Sequence, residues 1–164
     1  MPVSVVWGSN IAGIAIFPVM KIPHGGIYEI DDDPGRLDFD VLERWLSQTY
    51  WSPGIRKDEI RKAALNSTLA VGCYAGSGQV GTLRLVSDKT RFAYIMDVYV
   101  DGNHRNRGIA RDMIRFAMER PDLRDVYQWL LATQDAHAVY RGLGFEPLPN
   151  PERWMILRKE KIRP

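Results

Sequence analysis

Several things are scarce in this sequence, and each shortage excludes something. Cysteine occurs once in 164 residues, at Cys73. No disulfide can form within the chain, and such usage suits a reducing, cytoplasmic setting. Cys73 lies in the apolar run Leu69-Ala70-Val71-Gly72-Cys73-Tyr74 and reads as a small buried hydrophobe. Histidine occurs three times, at His24, His104 and His137, with no zinc spacing, so no metal is expected. Net charge is scarce too: 22 basic residues against 20 acidic leave +2. That argues against nucleic-acid binding by bulk charge, and no nucleic-acid partner is assigned. Long apolar runs are missing. Residues 3–20 are fairly apolar, but Gly8, Ser9, Asn10, Gly13 and Pro18 interrupt them, so no membrane span is expected. No basic residue precedes them, so the charged start of a signal peptide is lacking.

What is present suits one compact domain with a real core: 45% apolar and 26% charged residues over 164 positions. His24-Gly25-Gly26 is a joint. It divides an extension or extra strand over 1–26 from a domain over 27–164. Within the domain, 27–30 reads as a strand and Asp31-Asp32-Asp33-Pro34-Gly35 as a turn. Asp38 caps a helix to about Gln48, with Phe39, Leu42, Trp45 and Leu46 on one face. A second helix is predicted over 57–66. Three strands follow over 68–75, 79–87 and 92–100, joined by short turns, which implies antiparallel hairpins. A helix over 107–119, a strand over 126–132, a helix over 135–143 and a final strand over 154–158 complete an α+β order with a mixed sheet.

The chemistry centres on one connection. The strand 92–100 leads through a polar loop into Arg105-Asn106-Arg107-Gly108-Ile109-Ala110 and then an amphipathic helix. Backbone N–H groups at a helix start lack intrahelical partners and carry partial positive charge, which makes an anion site. Gly108 allows close approach of a phosphate, and Arg105, Arg107 and Arg111 add cations. A pyrophosphate suits such a turn, and so does an ordinary strand-to-helix connection with solvated arginines. No GxGxxG or GxxxxGK[ST] string is present, and hairpins instead of a βαβ unit precede the turn.

Arg105-x-x-Gly108-x-Ala110 resembles the [R/Q]-x-x-G-x-[G/A] signature of the GCN5-related N-acetyltransferases (GNAT). Downstream, the segment from Ala136 through Tyr140 to Gly144-Phe145 resembles the A-x-x-x-Y-x-x-x-G-F segment after that fold's fifth strand. The resemblance covers roughly residues 28–158. Tyr50-Trp51 is similar to a pair found after the first helix in members of unassigned substrate.

The resemblance implies a GNAT fold: a mixed, mostly antiparallel sheet splayed between its fourth and fifth strands, with acetyl-CoA in the gap and helices on its flanks. Val98, Tyr99 and Val100 would hold the acetyl carbonyl and pantetheine amides. The amides of Arg105, Asn106, Arg107, Gly108, Ile109, Ala110 and Arg111 would hold the pyrophosphate. Tyr140 matches the tyrosine that protonates the departing thiolate; a core aromatic is its plainer reading. Thr133 stands where many members have an asparagine that contacts the cofactor, and Phe145 packs structurally or against the CoA arm. Asp97 is the candidate base, either as such or through a water relay, with a structural salt bridge as the alternative. Strand alternation groups Ile95, Asp97 and Tyr99 on one face and Met96, Val98 and Val100 on the other. Asp97-Val98-Tyr99-Val100 resembles a string of polyamine acetyltransferases, but Met96 stands where those carry a further acid, so polyamine specificity is not assigned. Tyr50, Trp51, Tyr94 and His137 are candidates for the acceptor pocket. Arg84 could meet an acidic acceptor or be solvated.

The expected function is therefore acetyl transfer from acetyl-CoA to a primary amine of a small molecule or peptide. The alternatives are a CoA-binding module without catalysis and an unrelated nucleic-acid-binding domain. No membrane partner is expected, and a homodimer is the family's frequent arrangement.

Overall fold

The computed structural model describes residues 4–6, 19–24 and 28–159, the first two stretches by backbone alone. Its strands are β1 (Ser4–Val6), β2 (Val19–His24), β3 (Tyr28–Asp31), β4 (Leu69–Ala75), β5 (Gly78–Ser87), β6 (Phe92–Val100) and β7 (Gln128–Leu130). Its α-helices are α1 (Phe39–Leu46), α2 (Lys57–Leu65), α3 (Ile109–Met118) and α4 (His137–Arg141). The strands form one sheet in chain order, β1 to β7. Every neighbouring pair is antiparallel except β6 and β7, which run parallel. This is the expected mixed, mostly antiparallel sheet. Its fourth and fifth strands are β6 and β7, because β1 and β2 precede the first expected strand. Gly25, Gly26 and Ile27, and most of the N-terminal extension, lie outside the described residues.

The helices begin where their side chains dictate. The Asp38 carboxylate accepts from the N–H groups of Asp40 and Val41 at 3.1 and 3.0 Å, satisfying two amides that the helix leaves open. α1 and α2 pack Leu42, Leu46, Ile60 and Ala64 against Ala70 on one face of the sheet. α3 packs Ile109, Met113, Ile114, Phe116 and Ala117 with Val71, Cys73, Leu83 and Leu85 on the other. Ala70 and Val71 fall in different clusters because successive strand residues point to opposite faces. Gly81 lets α3 sit close: a Cβ there would lie 3.2 Å from the Met113 Cε and 3.3 Å from both the Cys73 Cβ and the Tyr99 carbonyl oxygen.

Two expectations fail. The first is the simple alternation along β6. Arg84 faces Met96 and Thr82 faces Tyr99, so Asp97 and Val98 together oppose one residue of β5. This is a β-bulge, with Asp97 in the left-handed region at φ 53°. The extra residue resets the pattern. Ile95 shares the α3-side core with Val98 and Val100, while Tyr99 packs with the α1/α2 cluster.

The second is the final strand over 154–158. A 3-10 turn at Pro151–Arg153 is followed by chain with no sheet partner. Trp154, Met155, Ile156 and Leu157 are 48, 97, 75 and 82% exposed. Strand propensity is present, but nothing within the described chain pairs with the segment. The predicted strand over 126–132 is likewise shorter, at Gln128–Leu130.

Candidate active site

The site exists because β6 and β7 separate. They pair only over Phe92–Tyr94 and Gln128–Leu130. Beyond that, β6 continues alone on this side to Val100, and the chain after β7 turns away into α4. The gap holds a cavity of about 820 Å³, lined by Tyr94 to Val98 on one side and Ala132 to Ala136 on the other. Tyr50, Trp51, Arg84, Tyr140 and Arg158 complete its wall.

The structure thus brings together Tyr140, Asp97, Val98, Thr133, Tyr50, Trp51 and Tyr94. Tyr99 and Val100 lie further along β6, beyond the cavity. His137 lines the adjoining groove along β7 instead. Phe145 meets the Tyr140 ring edge-on, with centroids 6.0 Å apart. Burial, with smaller contributions from Tyr50 and Asp135, pushes the Tyr140 phenol up to about 12. It therefore keeps its proton across the physiological range. Thr133 Oγ1 accepts from the Ala136 N–H at 3.0 Å and so fixes the entry to α4. The Tyr50 hydroxyl accepts from the Gln134 N–H at 2.8 Å, which ties the chain after α1 to the chain after β7.

Asp97 is held in place. The Arg84 Nε donates to Asp97 Oδ2 at 2.8 Å, and the two side chains are only 19 and 14% exposed. Arg84 also reaches the Ser67 hydroxyl at 3.3 Å. Arg84 is therefore part of the site, not a solvated edge residue. The bulge is what turns Asp97 out of register, and its partner lies across the hairpin on β5.

The turn into α3 forms the second half. Gly108 is the N-cap, at φ 82°, and no side chain caps the helix. The first intrahelical bond runs from Asp112 N to Gly108 O, leaving the amides of Ile109, Ala110 and Arg111 without helical partners. Asn106 is also left-handed, at φ 61°. A chain that alternates its hand in this way turns successive N–H groups into one concavity, a fit for a phosphate. The arginine side chains brace the loop. Arg105 Nε donates to the Val100 carbonyl at 3.0 Å, and Arg107 donates to the Tyr28 hydroxyl at 3.1 Å. Tyr28 also contacts His104 Nδ1 at 3.1 Å. Tyr28 went unnoticed in the sequence, because 76 residues separate it from His104 and no local pattern links them.

The sequence profile of the acetyltransferase (GNAT) family matches residues 26–145. The chain belongs to this family. An acetyltransferase by designation from Gibberella zeae is 29% identical over 145 residues, 74% of this chain and 80% of that one. A GNAT-family crystal structure from Xanthomonas campestris pv. campestris is 34% identical, covers 84% of this chain and 95% of its own, and superposes with a TM-score of 0.76. An acetyltransferase structure from Clostridium acetobutylicum, determined with acetyl-CoA, shares the fold at 18% identity and a TM-score of 0.59, covering 80% of this chain and 94% of its own. Acetyl transfer is thus the general chemistry of this GNAT domain. Among the described residues, no helix is long and apolar enough to cross a membrane.

Proposed function

We propose that this GNAT domain transfers the acetyl group of acetyl-CoA directly to a primary amine of a small molecule or peptide, in the cytoplasm. The carrying observation is the split between β6 and β7, with Tyr140 and Asp97 on the same cavity and an uncapped helix start beyond it.

The open amides of Ile109 to Arg111 suit the pyrophosphate, and the backbone of Val98 to Val100 suits the pantetheine arm and the acetyl carbonyl. The amine must be neutral to attack. Asp97 takes its proton directly or through water, while Arg84 keeps the carboxylate oriented. The amine nitrogen then bonds to the thioester carbon. The carbon–sulfur bond breaks, the Tyr140 hydroxyl supplies the proton to the departing thiolate, and the proton shed by the acylated nitrogen returns to the Tyr140 phenolate through water. A phenol kept neutral by burial is suited to that role. Tyr50, Trp51 and Tyr94 supply an aromatic wall for the acceptor.

The test is purified protein with acetyl-CoA and a panel of amines, read as thiol release. Release that requires both an amine and Tyr140 supports the reading. Tight CoA binding without turnover on a broad panel would make the domain a CoA-binding module instead.

A further inference from the structure

Arg84 and Asp97 both line the acyl cavity, and the ion pair between them leaves part of Arg84 unspent. The Nε donates to Asp97. The Nη1 donates to the Ser67 hydroxyl at 3.3 Å, and the Nη2 finds only the Met96 thioether, at 3.5 Å. Each Nη carries a second N–H. Neither of these has an acceptor among the described residues. Two N–H groups side by side on one guanidinium form a fork that matches the two oxygens of a carboxylate. The pair is aimed by a costly backbone. Asp97 is held left-handed at φ 53°, a conformation that side chains seldom adopt and that persists where a side chain has to be placed.

The charge of the whole wall points the same way. Asp97 and Asp135 stand against Arg84 and Arg158, so the formal charges around the cavity cancel. A lone cation would meet Arg84 beside Asp97, and a lone anion would meet Asp97 beside Arg84. A guest with both charges, close together, satisfies both. An α-amino acid is such a guest, since its ammonium and carboxylate hang on one carbon. The opposite wall is aromatic. The Tyr50 and Trp51 rings meet edge to face, with centroids 4.8 Å apart, and both remain partly exposed. With Tyr94 they offer ring surface to an apolar side chain.

We infer that the acceptor is a free α-amino acid with an apolar or aromatic side chain, its amine at Asp97 and its carboxylate on the fork of Arg84. The inference rests on the acetyl-transfer reading of the same cavity and narrows its acceptor. Arg84 is then the residue that sets specificity. It separates a free amino acid from a simple amine, which has no carboxylate, and from a peptide, whose amine is followed by an amide. The step itself is unchanged: the amine nitrogen takes the acetyl group, and the carboxylate stays bound as a handle. The product is an N-acetyl amino acid.

The test uses the full chain with acetyl-CoA, read as thiol release and compared per neutral amine. The probes are matched: L-phenylalanine against 2-phenylethylamine and phenylalaninamide, and L-leucine against 3-methylbutylamine. Each amino acid should exceed its partners in kcat/KM by about 100-fold or more, because a site built to bond a polar group rejects the analogue without it. Arg84→Lys keeps a cation for Asp97 but loses the fork, so the preference for phenylalanine over 2-phenylethylamine should shrink about tenfold or more. That ratio is informative even where the variant is slower on both. Equal use of the amines or the amide by the wild-type protein, or a ratio that Arg84→Lys leaves intact, would overturn the inference while acetyl transfer stands. Release with other amines but with neither amino acid would do the same. No release with any amine would overturn both.

Discussion

The two sides of the cleft are built differently. The side proposed to hold the cofactor is one continuous stretch, residues 98–111, and what it offers is backbone: a strand, a turn left-handed at Asn106 and Gly108, and an uncapped helix start. The side proposed for the acceptor is assembled from side chains of distant segments: Tyr50 and Trp51 after α1, Arg84 on β5, Tyr94 and Asp97 on β6, and Tyr140 on α4. A backbone site tolerates change in most side chains. A side-chain site changes character with each of them. One scaffold can therefore keep its donor while its acceptor varies.

The contrast can be broken from either side. Tyr140→Phe should have the largest effect. It keeps the ring against Phe145 but removes the proposed proton donor, so turnover should fall about 100-fold or more. Acetyl-CoA affinity measured by calorimetry should scarcely change. Gly108→Asp should do the reverse. A side chain at φ 82° is strained by about 1–2 kcal/mol, its Cβ would lie 3.3 Å from the Asp112 carboxylate, and its own carboxylate opposes a phosphate. Affinity for acetyl-CoA should weaken about tenfold or more, and unchanged affinity would remove the phosphate site. Gly108→Ala should show the strain alone.

Asp97→Asn should be felt next. It leaves the half-buried Arg84 guanidinium without its carboxylate, so stability should fall by about 1–3 kcal/mol in denaturant titration. Turnover should fall while cofactor affinity holds. Tyr50→Phe should be mildest. Losing the bond to the Gln134 N–H costs about 0.5–1.5 kcal/mol, and the change should appear in the acceptor KM alone.

The pH profile sharpens the same contrast. The Tyr140 phenol is pushed up to about 12, so its neutral donor form persists through the range in which an ordinary tyrosine ionises. The rate should rise with pH as the acceptor amine loses its proton. It should show no fall near pH ~10, the ordinary tyrosine value. The same shift has a stability consequence. The unfolded phenol ionises first, so this contribution holds below about pH 10 and is lost as pH rises toward about 12.

Legibility in the sequence followed the range of the interactions. The Asp38 cap, the helical periods of α1 and α3, and the turn at Gly108 each depend on neighbours within a few residues. The predicted elements agree with the structure there to within a residue or two. The bulge at Asp97 could not be read, because it is a mismatch between β6 and β5 and not a feature of β6 alone. Arg84 looked like a surface charge until the hairpin set it beside Asp97. Tyr28 entered only as a brace for Arg107 and His104. The strand expected over 154–158 has the right residues, but a strand also needs an edge, and the described chain offers it none in place.

By itself, then, the sequence determined the order of elements from β3 to α4, the glycine-led start of α3 and the presence of a tyrosine on the last helix, since short-range patterns encode all three. Only the tertiary structure decided that β6 and β7 part after three paired residues, that the bulge turns Asp97 toward Arg84, and that the cavity wall draws on residues from Tyr50 to Tyr140. These depend on which backbones meet across the sheet. Such long-range meetings are fixed by packing both faces of the sheet at once, which no local pattern records.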